Sequence, residues 1–476
     1  MTDVQKTNTR KIYTPADAAD LYAPPPAQYT GKLGVEVEMP LIDTRMGTPA
    51  VPTPDVMQKI QTTLKGKGYD AQLEPAGVLE YASPAATPDG IAALVSQIKN
   101  DLDVFTSAAT GEGLTRVPFS IVPTTTEADA LAKTVSRPRL QVSIGAMKDI
   151  FPPNTLRLPL LTAAVQTSFS PKDADEMFDM ATRAYLLTPL LMASCNTFSG
   201  YVVNEEDRKN EIPRAKYYQG YGRAGGLSEA FLKATNGAEF IQNHIQEVFQ
   251  APMHFAYDLD GNLFPASKAK PITFEGLIAQ GLNTQSNYEL AESFLYNDIK
   301  ICNLRNEQGE VIGKRMEVRG ADSGLDQPIM AALLTTAIVP KGDAAEAFDK
   351  LVKQYGFTGC PKEDAPLLQA AREAVVNHNG NFMDVPFGKD PQTGEARSLR
   401  EFAADVAGIV AKRYETEPKL SGDVSRLVDV LLTGNCDAKV FAAAFRSLSD
   451  AKDYMMQSAP QPQQQPAKAQ RRSFPL

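Results

Sequence analysis

Two stretches far apart in the chain carry charges at alternate positions, and together they constrain the fold more than any other feature. Lys314-Arg315-Met316-Glu317-Val318-Arg319-Gly320-Ala321-Asp322 reads as a strand running into a turn. Strand geometry has period 2, so Arg315, Glu317 and Arg319 share one face while Met316 and Val318 share the other. Leu33-Gly34-Val35-Glu36-Val37-Glu38-Met39 likewise sets Glu36 and Glu38 on one face over an apolar opposite face. Either each charged face is an ordinary solvated surface, or both strands belong to one sheet with an acidic working face.

The chain between and around them alternates strands with helices. Residues 1–25 are polar and end in Pro24-Pro25-Pro26, which predicts a flexible N-terminal arm. Glu74-Pro75-Ala76-Gly77-Val78-Leu79-Glu80 is a Pro/Gly turn between short strands, a hairpin that brings Glu74 near Glu80. A helix is expected at about 87–106, a strand at about 117–123, and a loop with a short helix over 124–155. A strand over 160–169 puts Gln166 and Ser168 on one face, and a long helix then runs to about Ser194. Residues 204–226 are rich in Arg, Lys, Tyr and Gly without periodicity; they read equally as a ligand-contacting loop or a surface insertion. Hairpins follow at 253–264 and 299–319, and from about 328 the chain reads as almost wholly helical. Hairpins without regular βαβ alternation predict an α+β fold with a mainly antiparallel sheet. The expected organisation is one domain over 26–455, helix-rich from about 328, and a disordered Gln/Pro-rich tail over 456–476.

Composition narrows the chemistry. The 57 acidic residues exceed the 48 basic ones for a net charge of −9, which argues against nucleic acid or an anionic membrane as partner. No apolar run reaches membrane-spanning length, and Met1–Arg10 has no apolar signal region. Cys195, Cys302, Cys360 and Cys436 are scattered, so they are expected to be free thiols in a reducing, cytoplasmic compartment. His244, His254 and His378 are the only histidines, too few and too far apart for a His-based metal site or a Ser-His-Asp triad. Carboxylates, arginines and lysines must therefore carry any reaction.

Glu36, Glu38, Glu74, Glu80 and Glu317 would converge if their strands share a sheet, with Gln166 and Arg319 among them. Such a cluster repels itself and is stabilised by a hard divalent cation such as Mg²⁺. Arginines beside it suit phosphate, so the set fits phosphoryl transfer from a nucleotide. Neither of the two common phosphate-cradling motifs, GxxxxGK[ST] and GxGxxG after a strand, is present.

Six segments, taken in order, resemble the glutamate–cysteine ligases of the plant and proteobacterial type. Met316-Glu317-Val318-Arg319-Gly320-Ala321-Asp322-Ser323-Gly324 is similar to that family's E-x-R-G-A-D-G-G signature. Gly34–Glu38 resembles G-x-E-x-E, Glu74–Glu80 resembles E-P-G-G-Q-F-E, and Gln166-Thr167-Ser168 resembles Q-V-N. Arg223-Ala224-Gly225-Gly226-Leu227 resembles R-A-G-M-L, and Ala251–Phe255 resembles V-P-M-Y-F. The resemblance implies a glutamine-synthetase-like fold, a curved antiparallel cradle surrounded by helices. It implies ATP-dependent joining of the L-glutamate γ-carboxylate to the amine of L-cysteine, the first step of glutathione synthesis, by a monomer or homodimer. It also implies Glu36, Glu80 and Glu317 as Mg²⁺ ligands (with Mn²⁺ as an alternative ion), and Glu38, Glu74 and Gln166 as ligands or close neighbours. Arg319 would hold the transferred phosphate, and Arg223 and Arg139 would contact phosphate or substrate carboxylates. Arg315 gains no role from the resemblance. Val37, Thr167, Ser168 and Leu325 depart from the family pattern, which leaves the carboxylates in place and the acceptor pocket open; a ligase joining glutamate to a different amine and a non-catalytic nucleotide-binding paralogue are the alternatives.

Overall fold

The computed structural model describes residues 8–45, 47–134, 137–150, 160–198, 214–215, 225–306, 308–377, 384–445 and 447–457. Arg223, His378, most of the 204–226 loop and the Gln/Pro-rich tail lie outside them.

The alternating strands assemble into one seven-stranded antiparallel sheet. Its members are β1 (Lys32–Asp43), β2 (Ala71–Glu74), β3 (Val78–Ala82), β4 (Leu114–Arg116), β5 (Ala164–Ser170), β6 (Ile299–Arg305) and β7 (Val311–Asp322). The order is β6-β7-β5-β1-β3-β2, with β4 pairing the far end of β1. Leu33, Val35, Val37 and Met39 of β1, Leu79 and Tyr81 of β3, Phe169 of β5, and Met316 and Val318 of β7 face the core. The alternate residues form the opposite, polar face.

Helices cover the apolar face. α1 (Ile91–Gly111), α2 (Ala174–Ser194) and α3 (Gln327–Ile338) supply much of that layer. α3 is apolar all round, and every one of its residues is buried against β1, β5, β7 and neighbouring helices. α2 starts at Asp173, whose carboxylate accepts the Glu176 amide at 2.8 Å. The fold is therefore α+β with an antiparallel sheet, as the hairpin pattern implied, and the sheet curls into a half-barrel surrounded by helices, as the resemblance implied. Among the described residues no helix is long and apolar enough to cross a membrane. The four cysteines are free thiols; Cys195 and Cys436 are buried and Cys302 and Cys360 partly exposed.

Several expectations are corrected. The strand expected at 117–123 is absent: β4 ends at Arg116, and Pro118 and Pro123 have no amide to give a ladder. The segment stays buried because other elements pair its backbone, Ser120 N with Thr197 Oγ1 at 2.9 Å and Ser120 O with Ala163 N at 2.8 Å. Residues 124–150 hold two helices, Glu127–Ala132 and Pro138–Ile150. A hairpin, Pro386–Lys389 with Ala396–Ser398, interrupts the helical C-terminal third. Residues 8–25 are anchored as well. Ile12 is buried in a second core with Phe249, Phe274 and Tyr288, and its amide bonds to Asn283 O at 2.9 Å.

A buried charge network ties that second core to the sheet. Lys314 precedes the charged face by one residue, so it points inward, where it is 2% exposed. It ion-pairs with Glu292, donates to Asn303 Oδ1 at 2.7 Å and lies 4.5 Å from the Tyr22 ring centre. Glu292 also accepts from Tyr22 Oη at 2.6 Å and meets His244 Nε2 at 3.2 Å. Burial alone would raise the Glu292 carboxyl; the Lys314 ammonium and His244 outweigh it and hold it down at about 2. Its stabilisation is complete above its ordinary value of 4.5 and is lost as pH falls toward 2. Lys314→Met should cost about 3–5 kcal/mol by urea denaturation at neutral pH, because buried Glu292 loses the ammonium that offsets its burial. Adding Glu292→Gln should recover much of that loss. A single variant as stable as the parent would contradict the pairing.

Candidate active site

The register of the sheet decides which glutamates meet. Glu38 lies directly opposite Glu80, Glu36 opposite Gln166, and Glu317 opposite Ser168. Glu74 pairs with Val78, which puts it on the face of Glu80. The Pro75–Gly77 turn that achieves this holds Ala76 at φ 52° and Gly77 at φ 82°. A Cβ on Gly77 would stand 2.7 Å from Pro52 Cδ, so this position needs glycine for space as well as for φ. The structure thus gathers Glu36, Glu38, Glu74, Glu80, Glu317, Gln166 and Arg319 on one face.

A bulge in β7 completes that face. The register against β5 shifts between Val318 and Ala321, so the alternation changes parity at Gly320. Arg319 stays on the polar face, where Nη1 donates to Gln166 Oε1 at 2.6 Å and pairs with Glu317. Asp322, which unbroken alternation would turn toward the core, shares the polar face and accepts from Arg214 Nε at 3.1 Å and Ser120 Oγ at 3.1 Å. Arg214 Nη2 reaches the Arg319 and Ala321 carbonyls at 2.7 and 2.9 Å. The Arg319 amide is held by Asp298 O at 2.9 Å, and the Asp298 carboxylate pairs with buried Arg372. Arg214, Asp298, Asp322 and Arg372 are supporting residues that strand periodicity did not single out. The one local signal was Gly320 inside a charged strand, a mark of a bulge. Arg315 is a correction of a different kind. The resemblance gave it no role, yet its guanidinium joins Glu36 at 3.0 Å to Glu317 at 3.2 Å and donates to Ser168.

The platform has two electrostatic halves. Glu317 is 3% exposed; burial would raise it, but Arg319 and Arg315 hold it down at about 2. Glu38 accepts from Ala164 N at 2.6 Å and Gln166 Nε2 at 3.0 Å, yet burial and the neighbouring Glu74 push it up to about 7. Glu80 rises to about 9 through burial and then Glu74 and Glu38, and burial also raises Glu74 and Glu36. No described residue donates a hydrogen bond to Glu74 or Glu80. Among the described residues no three His, Cys, Asp or Glu side chains surround a common point as a ready metal site. The donor chemistry nevertheless fits a divalent cation: Glu38, Glu74 and Glu80 are hard oxygen donors whose mutual repulsion a cation would relieve.

Arg139 stands apart from this cluster. It lies 5.9 Å over the Phe255 ring and lines a cavity of about 830 Å³ with Tyr257, Glu289, Lys300 and Cys302. The cavity adjoins the platform through edge strand β6, where the Cys302 thiol donates to Glu317 at 3.6 Å.

No protein-family model and no curated protein sequence matches this chain. Solved structures do. Glutamate–cysteine ligase from Francisella tularensis in complex with AMP superposes with a TM-score of 0.53 at 12% identity, over 90% of this chain and 88% of that one. Weaker likenesses are the Pup ligase PafA in complex with Pup (TM-score 0.38, 8% identity, 90% and 72% covered) and a glutamine synthase homologue (0.31, 11%, 90% and 70%). At such identity the first likeness shows a shared fold.

The raised carboxyls fix the sign of a pH effect. Their contribution to stability is present below 4.5 and is lost as pH rises through about 7 for Glu38 and about 9 for Glu80. The melting temperature in EDTA should therefore fall between pH 6 and 9, and millimolar Mg²⁺ should restore it most at the alkaline end. Melting at pH 8.5 that ignores Mg²⁺ would count against cation binding on this face.

Proposed function

We propose that this chain is an ATP-dependent carboxylate–amine ligase that joins the γ-carboxylate of L-glutamate to the amine of L-cysteine. The observation that carries the reading is the convergence of five glutamates with Arg319 on one face of a cradle whose fold is similar to a glutamate–cysteine ligase. The ordered motif resemblance supports the choice of glutamate and cysteine.

In the first step a γ-carboxylate oxygen attacks the γ-phosphorus of ATP. The bond to the bridging oxygen breaks and ADP leaves an acyl phosphate. The amine nitrogen then attacks the acyl carbon, the bond to the phosphate oxygen breaks, and inorganic phosphate departs as the nitrogen loses a proton. Glu36, Glu38, Glu74, Glu80, Glu317 and Gln166 are the residues that would hold Mg²⁺ (or Mn²⁺), which neutralises phosphate charge when bound. Arg319, fixed by Gln166, Glu317 and the Asp298 carbonyl, presents donors to the transferred phosphoryl group. Arg139, and Arg223 outside the described residues, are proposed contacts for substrate carboxylate or phosphate.

One observation favours a second reading with the same glutamate chemistry and another amine. Ser168 stands where the resembling strand has asparagine, and it is bonded to Arg315, so this side of the site is built differently.

ADP release with glutamate, Mg²⁺ and a panel of amines separates the two readings. Strong cysteine preference supports the first, and preference for another amine supports the second. No release with any acceptor from folded protein would remove both. Glu317→Gln and Glu80→Gln should each lower ADP release by about 10²-fold or more. Glu80→Gln should also melt no lower than the parent in EDTA, because the amide stands in for a carboxyl that burial and its acidic neighbours already hold uncharged at neutral pH. Near-normal turnover in either variant would overturn the assignment.

A further inference from the structure

Half of the acidic platform already contains a cation. The Glu38–Glu74–Glu80 half takes no direct ion pair from a described residue. In the other half the Arg315 guanidinium spans Glu36 on β1 and Glu317 on β7, two strands separated by β5. Its Nη2 is 3.0 Å from Glu36 Oε1 and its Nη1 is 3.2 Å from Glu317 Oε2. Arg319 pairs with the other Glu317 oxygen, Oε1, so guanidinium groups hold both oxygens of Glu317 and a divalent ion ligated there would have to displace one of them.

We infer that Arg315 is an exchangeable counter-cation, which holds Glu36 and Glu317 together when no metal ion is bound and gives way to a divalent cation. The inference rests on the cation-dependent ligase reading above and adds a residue to it. Three observations favour exchange at Arg315 rather than Arg319. The Arg315 side chain is 23% exposed and Arg319 15%, so Arg315 has the more open exit. Arg319 is additionally tied to Gln166, and its own amide and carbonyl are fixed by Asp298 and Arg214. Beside Arg315 lies a groove of about 170 Å³, lined by Gly34, Ala82, Ser83, Ser168 and Leu304, on the same polar face. Gly34 leaves it open: a Cβ there would meet only Ser83 Oγ, at 3.8 Å. The groove gives a displaced guanidinium a place to go without unfolding β7. Arg315 is thus a positioning residue that sets how readily the site accepts its cation.

The test is Mn²⁺ binding to full-length, nucleotide-free protein, with free Mn²⁺ followed by EPR. Arg315→Gln should bind Mn²⁺ about tenfold more tightly than the parent, because no internal cation competes. It should also melt lower in EDTA, with the gap closing at saturating Mn²⁺. Arg315→Lys keeps the charge but reaches one carboxylate at a time, so its affinity should fall between the two; it carries the comparison if Arg315→Gln does not fold. If the parent binds Mn²⁺ and the variants bind it equally or more weakly, the exchange is wrong while the cation reading stands. If neither parent nor variants bind at millimolar Mn²⁺, both are wrong.

Discussion

Carboxylates that face one another across a β-ladder repel, and this sheet is arranged around that repulsion. Glu38 opposite Glu80, with Glu74 beside them, is a pairing that weakens a sheet when no cation intervenes. The apolar face offsets the cost. β1, β3, β5 and β7 bury Val, Leu, Met, Phe and Tyr side chains against α1, α2 and α3, and those helices fix the register regardless of what the polar face would prefer. A one-residue slip would turn that apolar set toward the glutamates, so the core enforces the encounter. Strain of this kind is expected where a site is built for a ligand.

The same logic explains the supporting charges. Lys314–Glu292 lies on the buried side of β7 and Arg315–Glu317 on the open side, one residue out of phase. The first pair is closed off, satisfied by Asn303, Tyr22 and His244, and serves to hold the N-terminal segment and the β6–β7 hairpin together. The second is partly exposed and shared between two carboxylates. Closed networks hold shape, whereas shared, accessible ones can exchange partners.

Much of this was legible in the sequence because it is local. Alternation in β1 and β7 revealed the charged faces, and the Glu74–Glu80 hairpin announced itself through Pro75 and Gly77. What was not legible depends on partners distant in the chain. Nothing local says that Glu38 meets Glu80, or that inward-facing Lys314 finds Glu292 as its partner. The parity change at Gly320 hid Asp322, and with it the Arg214 pair. Pro118 and Pro123 should have counted against the strand at 117–123; the buried Val117, Phe119 and Ile121 made it read as one. The arm at 8–25 looks polar, yet Ile12, Ala18 and Tyr22 pack into the second core and backbone bonds to 283–286 anchor it.

The proposed function requires this face to activate a carboxylate by phosphorylating it. Glutamate labelled with oxygen-18 in its γ-carboxylate, turned over with ATP, Mg²⁺ and the preferred amine, tests this directly by phosphorus NMR of the released phosphate. An acyl phosphate route transfers one labelled oxygen to each phosphate. Phosphate that emerges unlabelled while product forms would contradict the account.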